Sequence, residues 1–505
     1  MVIFAATATN LYKLNNSTFQ WANVSKSGGP YTTVDTDKNW SFCQFNSLVF
    51  ACNGNVNLQQ FNIVSDSAFS DTSGSPPQAN YAAVINSFLV LSGLSANPNR
   101  VQWSGLGDTT NWTAGVNSSD YQDLPDGGLV RGVVGGELGV IISDARIRIM
   151  TFSPGSDVIF NIYMVDKDVG CIAPYSIIQS NQRIFFLSAQ GWQMTDATGA
   201  LTPIGAEKVD RYFLGKYDPG HPELVIGAID PQKNTCYWIA KSNGSSQTYA
   251  DFGIAYNWLL NRWSPFTGSF EYLGSLITPG LTLEGLDQIV PGALTITGAA
   301  NNGSGLIRLA MASTSTLSTG QKIAVSGVGG TTEANNTATN GWWVITVIDS
   351  THVDLQGSTF TNAYTSGGII GGSLDSLPTP LDTLTSKAIA GIAGVDSTHT
   401  IGFFSGPNLE ATFETAEQTG PDGQRLFVSG FAPITDAPTV YGSISYRENL
   451  NAARSYTSEA TMNAYGYCCN MRSTRYARGK VRIPAATLWT FCRGIAPDSR
   501  PDGYA

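Results

Sequence analysis

Short runs in which apolar and polar residues alternate recur through the first half of the chain, and consecutive runs are joined by a turn. They fall at VIFAATATNLYKL (2–14), SLVFACNGNVNLQQF (47–61), SFLVLSGLSANPNRVQW (87–103), LGVIISDARIRIMTF (138–152), RIFFLSAQGWQMTD (183–196) and GIAYNWLLNRWSPF (253–266). β-Branched and aromatic residues alternate in the arms, and Asn, Gly, Asp or Pro sits between them, so each run predicts a β-hairpin. The first five starts lie roughly 40–50 residues apart, which is the period of propeller blades, and the sixth follows after a longer interval. One hairpin cannot bury its apolar face. A ring of them can, and it leaves few open edges. The pattern therefore predicts an all-β fold, with a β-propeller of six or seven blades whose first part covers residues 1–285.

The pattern changes near residue 286. Residues 294–360 form a compact strand–turn series almost free of charge, and TSGGIIGGSLDSLPTP (365–380) follows it. Residues 286–380 predict a small β-sandwich of Ig-like type inserted into the propeller, since loop tips of a rigid scaffold tolerate insertions. The hairpin theme returns in SKAIAGIAGVDSTHTIGFFSGPNLEATFETAEQ (386–418), so residues 381–420 are expected to close the ring. Residues 421–505 predict a C-terminal β domain.

Composition agrees with a turn-rich β chain. Only 13% of the 505 residues are charged and 54 are Gly, while 42% are hydrophobic, enough for packed cores. The formal charge is −10. It is unevenly spread, because residues 421–505 carry ten Arg or Lys against six Asp or Glu, a net +4 that leaves −14 elsewhere. Arg472, Arg475, Arg478, Lys480 and Arg482 crowd the stretch MRSTRYARGKVRIP. On a strand, Arg478, Lys480 and Arg482 share one face. Such a face either meets DNA phosphates or pairs with acids on a neighbouring subunit, and the acidic remainder favours the second. No apolar run is long enough to span a membrane. The opening residues have neither a basic leader nor an apolar core, so no signal peptide is expected.

Little in the sequence points to covalent chemistry. His221, His352 and His399 stand far apart with no partner at metal-ligand spacing, and seven Cys fit no zinc pattern. Asp35, Asp37 and Asn39 begin like a calcium loop, but Trp40 and Asn46 stand where Gly and Glu are needed. Asp108, Asp120, Asp123 and Asp126 gather in one turn-rich region, where solvated turn residues are a better reading than a glycosidase pair. Asn-x-Ser/Thr triplets at Asn39, Asn111 and Asn243 read as turn chemistry. No catalytic, cofactor or metal residues are expected.

Several motifs carry a family resemblance. NPNRVQWSGLGDTTNW (97–112), QGWQMTDATGALTPIGAEKVDRYF (190–213) and Asn-Arg-Trp-Ser at 261–264 resemble phrases of the tail nozzle or hub proteins of short-tailed bacteriophages, also called packaged-DNA stabilisation proteins. RYARGKVRIPAATLWTFCRG near the C-terminus is similar to that family's closing strands, and STGQKIAVSGVGG resembles a β module of phage tail proteins. Two departures stand out: the chain enters a hairpin almost at once, and the inserted module is extra to the basic hub design. The resemblance implies a non-enzymatic virion protein of the phage tail, assembled in the host cytoplasm. It implies a cyclic homo-oligomer, a hexamer or another closed ring, that meets an adaptor ring and carries fibres or spikes. Double-stranded DNA passes its lumen without sequence recognition and is retained there. The alternative is a propeller-type tail protein that binds or cleaves glycans.

Overall fold

Asparagine turns set the rhythm of the fold. Asn46, Asn86 and Asn181 take φ of 54°, 51° and 53°, and each is the first residue of a two-residue connection between paired strands. Asn tolerates this left-handed conformation better than most residues, and its twist matches that of the strands it joins. The computed structural model describes residues 2–15, 21–26, 29–32, 38–196, 199–278, 294–315, 317–336, 342–371, 389–404 and 407–503.

The described residues before the insert form six antiparallel sheets in sequence order. The first holds β1 (Phe4–Ala6), β2 (Leu11–Leu14) and β3 (Trp21–Asn23). The second holds β4 (Ser41–Phe45), β5 (Leu48–Cys52), β6 (Gln59–Asn62) and β7 (Ser70–Asp71). The third is β8 (Ala79–Ile85), β9 (Phe88–Leu94), β10 (Arg100–Trp103) and β11 (Asp120–Asp123). The fourth is β12 (Val130–Val134), β13 (Leu138–Ser143), β14 (Ile147–Phe152) and β15 (Phe160–Asp166). The fifth is β16 (Ile178–Ser180), β17 (Arg183–Ser188), β18 (Gly191–Asp196) and β19 (Leu201–Pro203), followed by the short helix α1 (Asp210–Lys216). The sixth starts with β20 (Ile226–Asp230), β21 (Thr235–Ala240), β22 (Ala250–Asn257) and the long β23 (Arg262–Thr278).

Apolar layers bind each sheet to the next, as a propeller requires. Phe61 and Phe69 join the first pair, Leu89 and Trp112 the second, and Trp103 and Phe160 the third. Ile142 and Phe186 join the fourth and fifth sheets, and Trp192, Phe213 and Trp238 lie fully buried between the fifth and sixth. The first strands of successive blades run side by side, with Ile85 and Gly136 forming a parallel bridge between the third and fourth.

The insert differs from the expected sandwich. Its strands β24 (Leu294–Asn301), β25 (Ile307–Met311), β26 (Lys322–Ser326), β27 (Trp343–Val347), β28 (His352–Gln356) and β29 (Ile369–Gly371) close into a barrel. The closure comes from β29, which pairs with both β24 and β26 and so removes the open edges that two separate layers would keep. Leu309, Ile345, Val353 and Leu355 fill the interior. The expected limits of the insert, near 286 and 380, fall outside the described residues.

The closing blade expected over 381–420 is divided. Strands β30 (Ile389–Asp396) and β31 (Ile401–Phe403) extend the sixth sheet, because β23 is long enough to pair with β22 through its first half and with β30 through its second. The second half of β23 also returns to β20, where the Ser275 hydroxyl accepts from the Ile229 amide at 3.1 Å and donates to its carbonyl at 2.7 Å. The next strand, β32 (Ala411–Glu414), belongs elsewhere. It lies in a second compact unit, Phe403–Ala505, with β33 (Leu426–Thr435), β34 (Tyr441–Arg447), β35 (Ser455–Tyr456), β36 (Ala460–Thr461), β37 (Arg472–Thr474), β38 (Tyr476–Ile483) and β39 (Cys492–Pro501). One sheet runs β32-β38-β34-β35, with β36 also on β34, and the other runs β37-β33-β39. Phe431, Val440, Ile444, Val481 and Ile483 form the core of this unit.

Candidate interaction surface

Alternation along β38 sorts its side chains by chemistry. Ala477, Val481 and Ile483 are buried, while Arg478, Lys480 and Arg482 lie on the opposite face, as the sequence predicts for a strand. The remaining members of the basic cluster are elsewhere. Arg472 belongs to β37 in the other sheet, where its guanidinium lies 3.8 Å from the Tyr446 ring centroid, and Arg475 sits half-buried in the bend between β37 and β38.

The cations of β38 meet acids of their own unit. β32 pairs with β38 so that Glu414 stands opposite Lys480 and Thr412 opposite Arg482. Arg482 grips Glu459 through two hydrogen bonds of 2.8 and 2.6 Å and reaches Glu410 at 3.0 Å. Lys480 and Arg478 each lie 4.0 Å from Glu414. Beside them, Glu417 accepts from both Arg447 and Arg454, at 2.8 and 2.9 Å. Tyrosine rings line the same face: Lys480 lies over Tyr456 at 4.9 Å and Arg482 over Tyr441 at 4.4 Å. The guanidinium of Arg447 holds the Glu417 carboxyl below the usual carboxylate range, and Arg482 does the same to Glu459. Glu410, Glu414 and Glu417 lower the net charge from +4 for residues 421–505 to +1 for the whole unit. The cluster is therefore a compensated charge ladder. Sequence reading favoured acids on a neighbouring subunit over DNA phosphates and missed the local ones: Glu410 and Glu414 lie in a segment assigned to the propeller, and Glu459, within the C-terminal segment, meets Arg482 only through the fold.

The second feature is a cavity of about 520 Å³ on the propeller axis. The first strands of the second to sixth sheets line it, and Tyr272 of β23 completes the lining. Tyr81, Tyr175, Trp40, Gln179 and Arg131 face it, and Arg131 is paired with Asp144. Burial pushes the Tyr81 hydroxyl above its ordinary pKa. A space of this volume suits a small molecule and is far too small for a duplex.

The other groups weighed from sequence are placed individually. Arg100 clasps Asp123 at 2.7 and 3.0 Å, Arg148 and Arg146 hold Asp126, and Asp108 caps the Thr110 amide at 2.9 Å. The Asp120 carboxylate accepts from the adjoining Tyr121 amide at 2.9 Å. Each histidine meets a different carboxylate: His221 Glu223 at 2.7 Å, His352 Asp349 at 2.9 Å, His399 Glu271 at 2.7 Å. Asp35 and Asp37 lie outside the described residues. Asn39 exchanges hydrogen bonds with Tyr175, and Asn111 closes a turn through Thr113 and Val116. Among the described residues no group of three or more His, Cys, Asp or Glu is arranged to hold a metal ion. No helix among the described residues is long and apolar enough to cross a membrane.

No family description matches the chain, and no curated protein matches it. Among solved structures it is similar to the WD40 β-propeller domain of Doa1, at 9% identity and a TM-score of 0.31, covering 67% of this chain and 94% of that one. It is similar to the AfRom2 CNH domain at 9% identity and a TM-score of 0.29, covering 66% and 94%. It is also similar to the dihydro-heme d1 dehydrogenase NirN in complex with DHE, at 12% identity and a TM-score of 0.35, covering 72% and 74%. At these scores the likeness supports no inference about function, and the fold rests on the strand pairing described above.

Proposed function

We propose that this chain is a non-catalytic structural subunit of a phage tail nozzle or hub ring, a cyclic homo-oligomer that extends a DNA channel, helps retain packaged DNA and carries fibres or spikes. The observation that supports the reading is architectural. Rigid antiparallel sheets form a propeller, a closed barrel is carried between two strands, β23 and β30, that pair with each other, and a further β unit presents a charge-compensated face. Such a chain offers several β modules for neighbours and needs no reacting groups. The DNA passage of this reading lies between copies, since the propeller's own cavity is too small for a duplex. A wall that is acidic outside the C-terminal unit lets DNA pass without gripping it. The test is the position and stoichiometry of the chain in assembled particles: a ring on the tail axis supports the reading, and a peripheral monomeric fibre component contradicts it.

A glycan-binding tail propeller is the second reading, favoured by Trp40, Tyr81, Tyr175 and Tyr272 around the cavity. It predicts saturable binding of host-surface oligosaccharide that a bulky residue at Ala82 abolishes.

A further inference from the structure

The most exposed aliphatic side chains of the propeller gather in one class of turn, while Leu129, exposed to a lesser degree, lies on the connection between the third and fourth blades. In each four-stranded blade the third and fourth strands are joined at the same end as the first and second. Main-chain hydrogen bonds tie these two turns together: Ile63 to Ser47 at 2.9 Å, Gly107 to Ser87 at 2.8 Å and Trp258 to Asn234 at 3.1 Å. Among the described residues of the six sheets, the four most exposed large hydrophobic side chains all occupy third-to-fourth-strand turns. They are Val64 (84%), Leu260 (70%), Leu259 (67%) and Val158 (55%), from the second, sixth, sixth and fourth blades. Leu106 and Val116 occupy the same turn of the third blade. The first strands run parallel from blade to blade, as the Ile85–Gly136 bridge shows, so these tips stud one end of the propeller. The first-to-second-strand turns beside them are built from Asn, Ser, Gln and Gly, with Glu137 added in the fourth blade and Pro231 and Lys233 in the sixth.

Charge divides the same end into two halves. The turns of the second, third and fourth blades hold Asp66, Asp108, Glu137 and Asp157. At the sixth blade, Lys233 lies in one turn, exposed and 3.7 Å from the buried Asp230 carboxylate, and Arg262 directly follows the other, while Lys208 donates to Asn261 at 2.7 Å, with Glu207 beside it, so this side of the end is less acidic than the other and carries one net positive charge. An acidic half, a basic half and aliphatic tips across both make a surface complementary to itself about a two-fold axis.

The geometry points to this end of the propeller as a docking face for a second copy of the same chain, in an isologous pair that sets Lys208, Lys233 and Arg262 of one copy against the acidic turns of the other. Aliphatic tips that are otherwise left in water are covered by the pairing. The contact is distinct from side-to-side ring contacts and does not depend on the ring. The test is mass photometry and sedimentation of the full chain against V64E/L259E/L260E. The expected result is that the variant's assembly has half the mass of the wild type's, a pair becoming a monomer or a double ring a single one. A second experiment uses the charge-reversed chains K233E/R262E and D66K/D157K, which are expected to fail to pair alone and to recover the wild-type mass on mixing. Unchanged mass in V64E/L259E/L260E, or a wild-type assembly with an odd number of copies, overturns the inference. Wild-type far-ultraviolet circular dichroism in each variant confirms that a halved mass comes from the face and not from unfolding.

Discussion

The hydroxyl of Tyr175 accepts the main-chain amide of Asn39 at 2.8 Å and donates to the Asn39 carbonyl at 3.1 Å, linking the approach to the second blade with that to the fifth across the propeller axis. The Asn39 side chain extends the link to the Glu223 carbonyl at 3.2 Å, ahead of the sixth blade. Tyr175→Phe leaves both Asn39 main-chain groups unpaired and should cost about 1–3 kcal/mol, the penalty for stranding partly buried polar groups. Urea unfolding of wild type and variant measures it, and an unchanged midpoint contradicts the role assigned to this link.

The core between the fifth and sixth blades is the most aromatic of the propeller. Phe213 of α1 packs edge-on to Trp192 with ring centroids 5.0 Å apart, and Trp192 lies 4.2 Å from Trp238. Phe213→Ala should destabilise the propeller by about 3–5 kcal/mol, as removal of a fully buried aromatic does. Thermal unfolding followed by tryptophan fluorescence is the measurement.

Acid should loosen the C-terminal unit in a definite window. Glu417 and Glu459 are held below their ordinary pKa by Arg447 and Arg482, so the folded chain binds these protons less readily than the unfolded one. Their contribution is complete above the unfolded carboxylate value of about 4.3 and is lost as pH falls through the lower folded values. Unfolding midpoints should therefore drop below about pH 4, and E417Q/E459Q should be less stable at pH 7 with a flatter acid limb. Equal acid sensitivity of variant and wild type argues against the ladder.

Compensation of the basic strand also governs nucleic-acid affinity. With Glu410, Glu414 and Glu459 beside Arg482 and Lys480, the full chain should bind duplex DNA weakly and with a shallow salt dependence. E410Q/E414Q/E459Q should bind at least tenfold more tightly, with a steeper slope of affinity against salt. Fluorescence anisotropy with a labelled duplex reads both quantities. Tight, steeply salt-dependent binding by the wild type means that the cations are free for phosphate.

Thiol chemistry offers a separate check on burial. Burial pushes the Cys52 and Cys171 thiols up to about 12 and Cys468 up to about 11, whereas Cys469 is exposed. At pH 8 a disulfide reagent should modify Cys469 rapidly and reach Cys52, Cys171 and Cys236 only after unfolding. Mass spectrometry of the native reaction identifies the sites.

Local pattern carried the hairpins into the structure. Each of the six runs read from sequence spans two paired neighbours, from β1–β2 through β5–β6, β9–β10, β13–β14 and β17–β18 to β22–β23. Their partners are close along the chain and short turns join them, several through Asn or Gly, as at Asn10, Gly54 and Asn261, so pattern and turn chemistry agree there. Long-range pairing was not legible. The alternation of ATFE at 411–414 is that of a strand, but nothing in it distinguishes the edge of a propeller blade from β38, whose Lys480 lies 66 residues beyond Glu414. The same blindness hid the local acids of the basic cluster and the closure of the barrel by β29, which depends on two pairings far apart in sequence. The charged face of β38 was readable, because period-two alternation decides it without knowledge of the neighbours.

The central claim, that this propeller chain builds a cyclic tail component, is tested most directly by single-particle images of the purified full-length protein, with mass photometry at micromolar concentration. The account predicts closed rings, single or paired, with a fixed number of copies and an open lumen between them wide enough for duplex DNA. A population that stays monomeric throughout the concentration range, and in particle images occupies scattered peripheral positions off the tail axis, contradicts it.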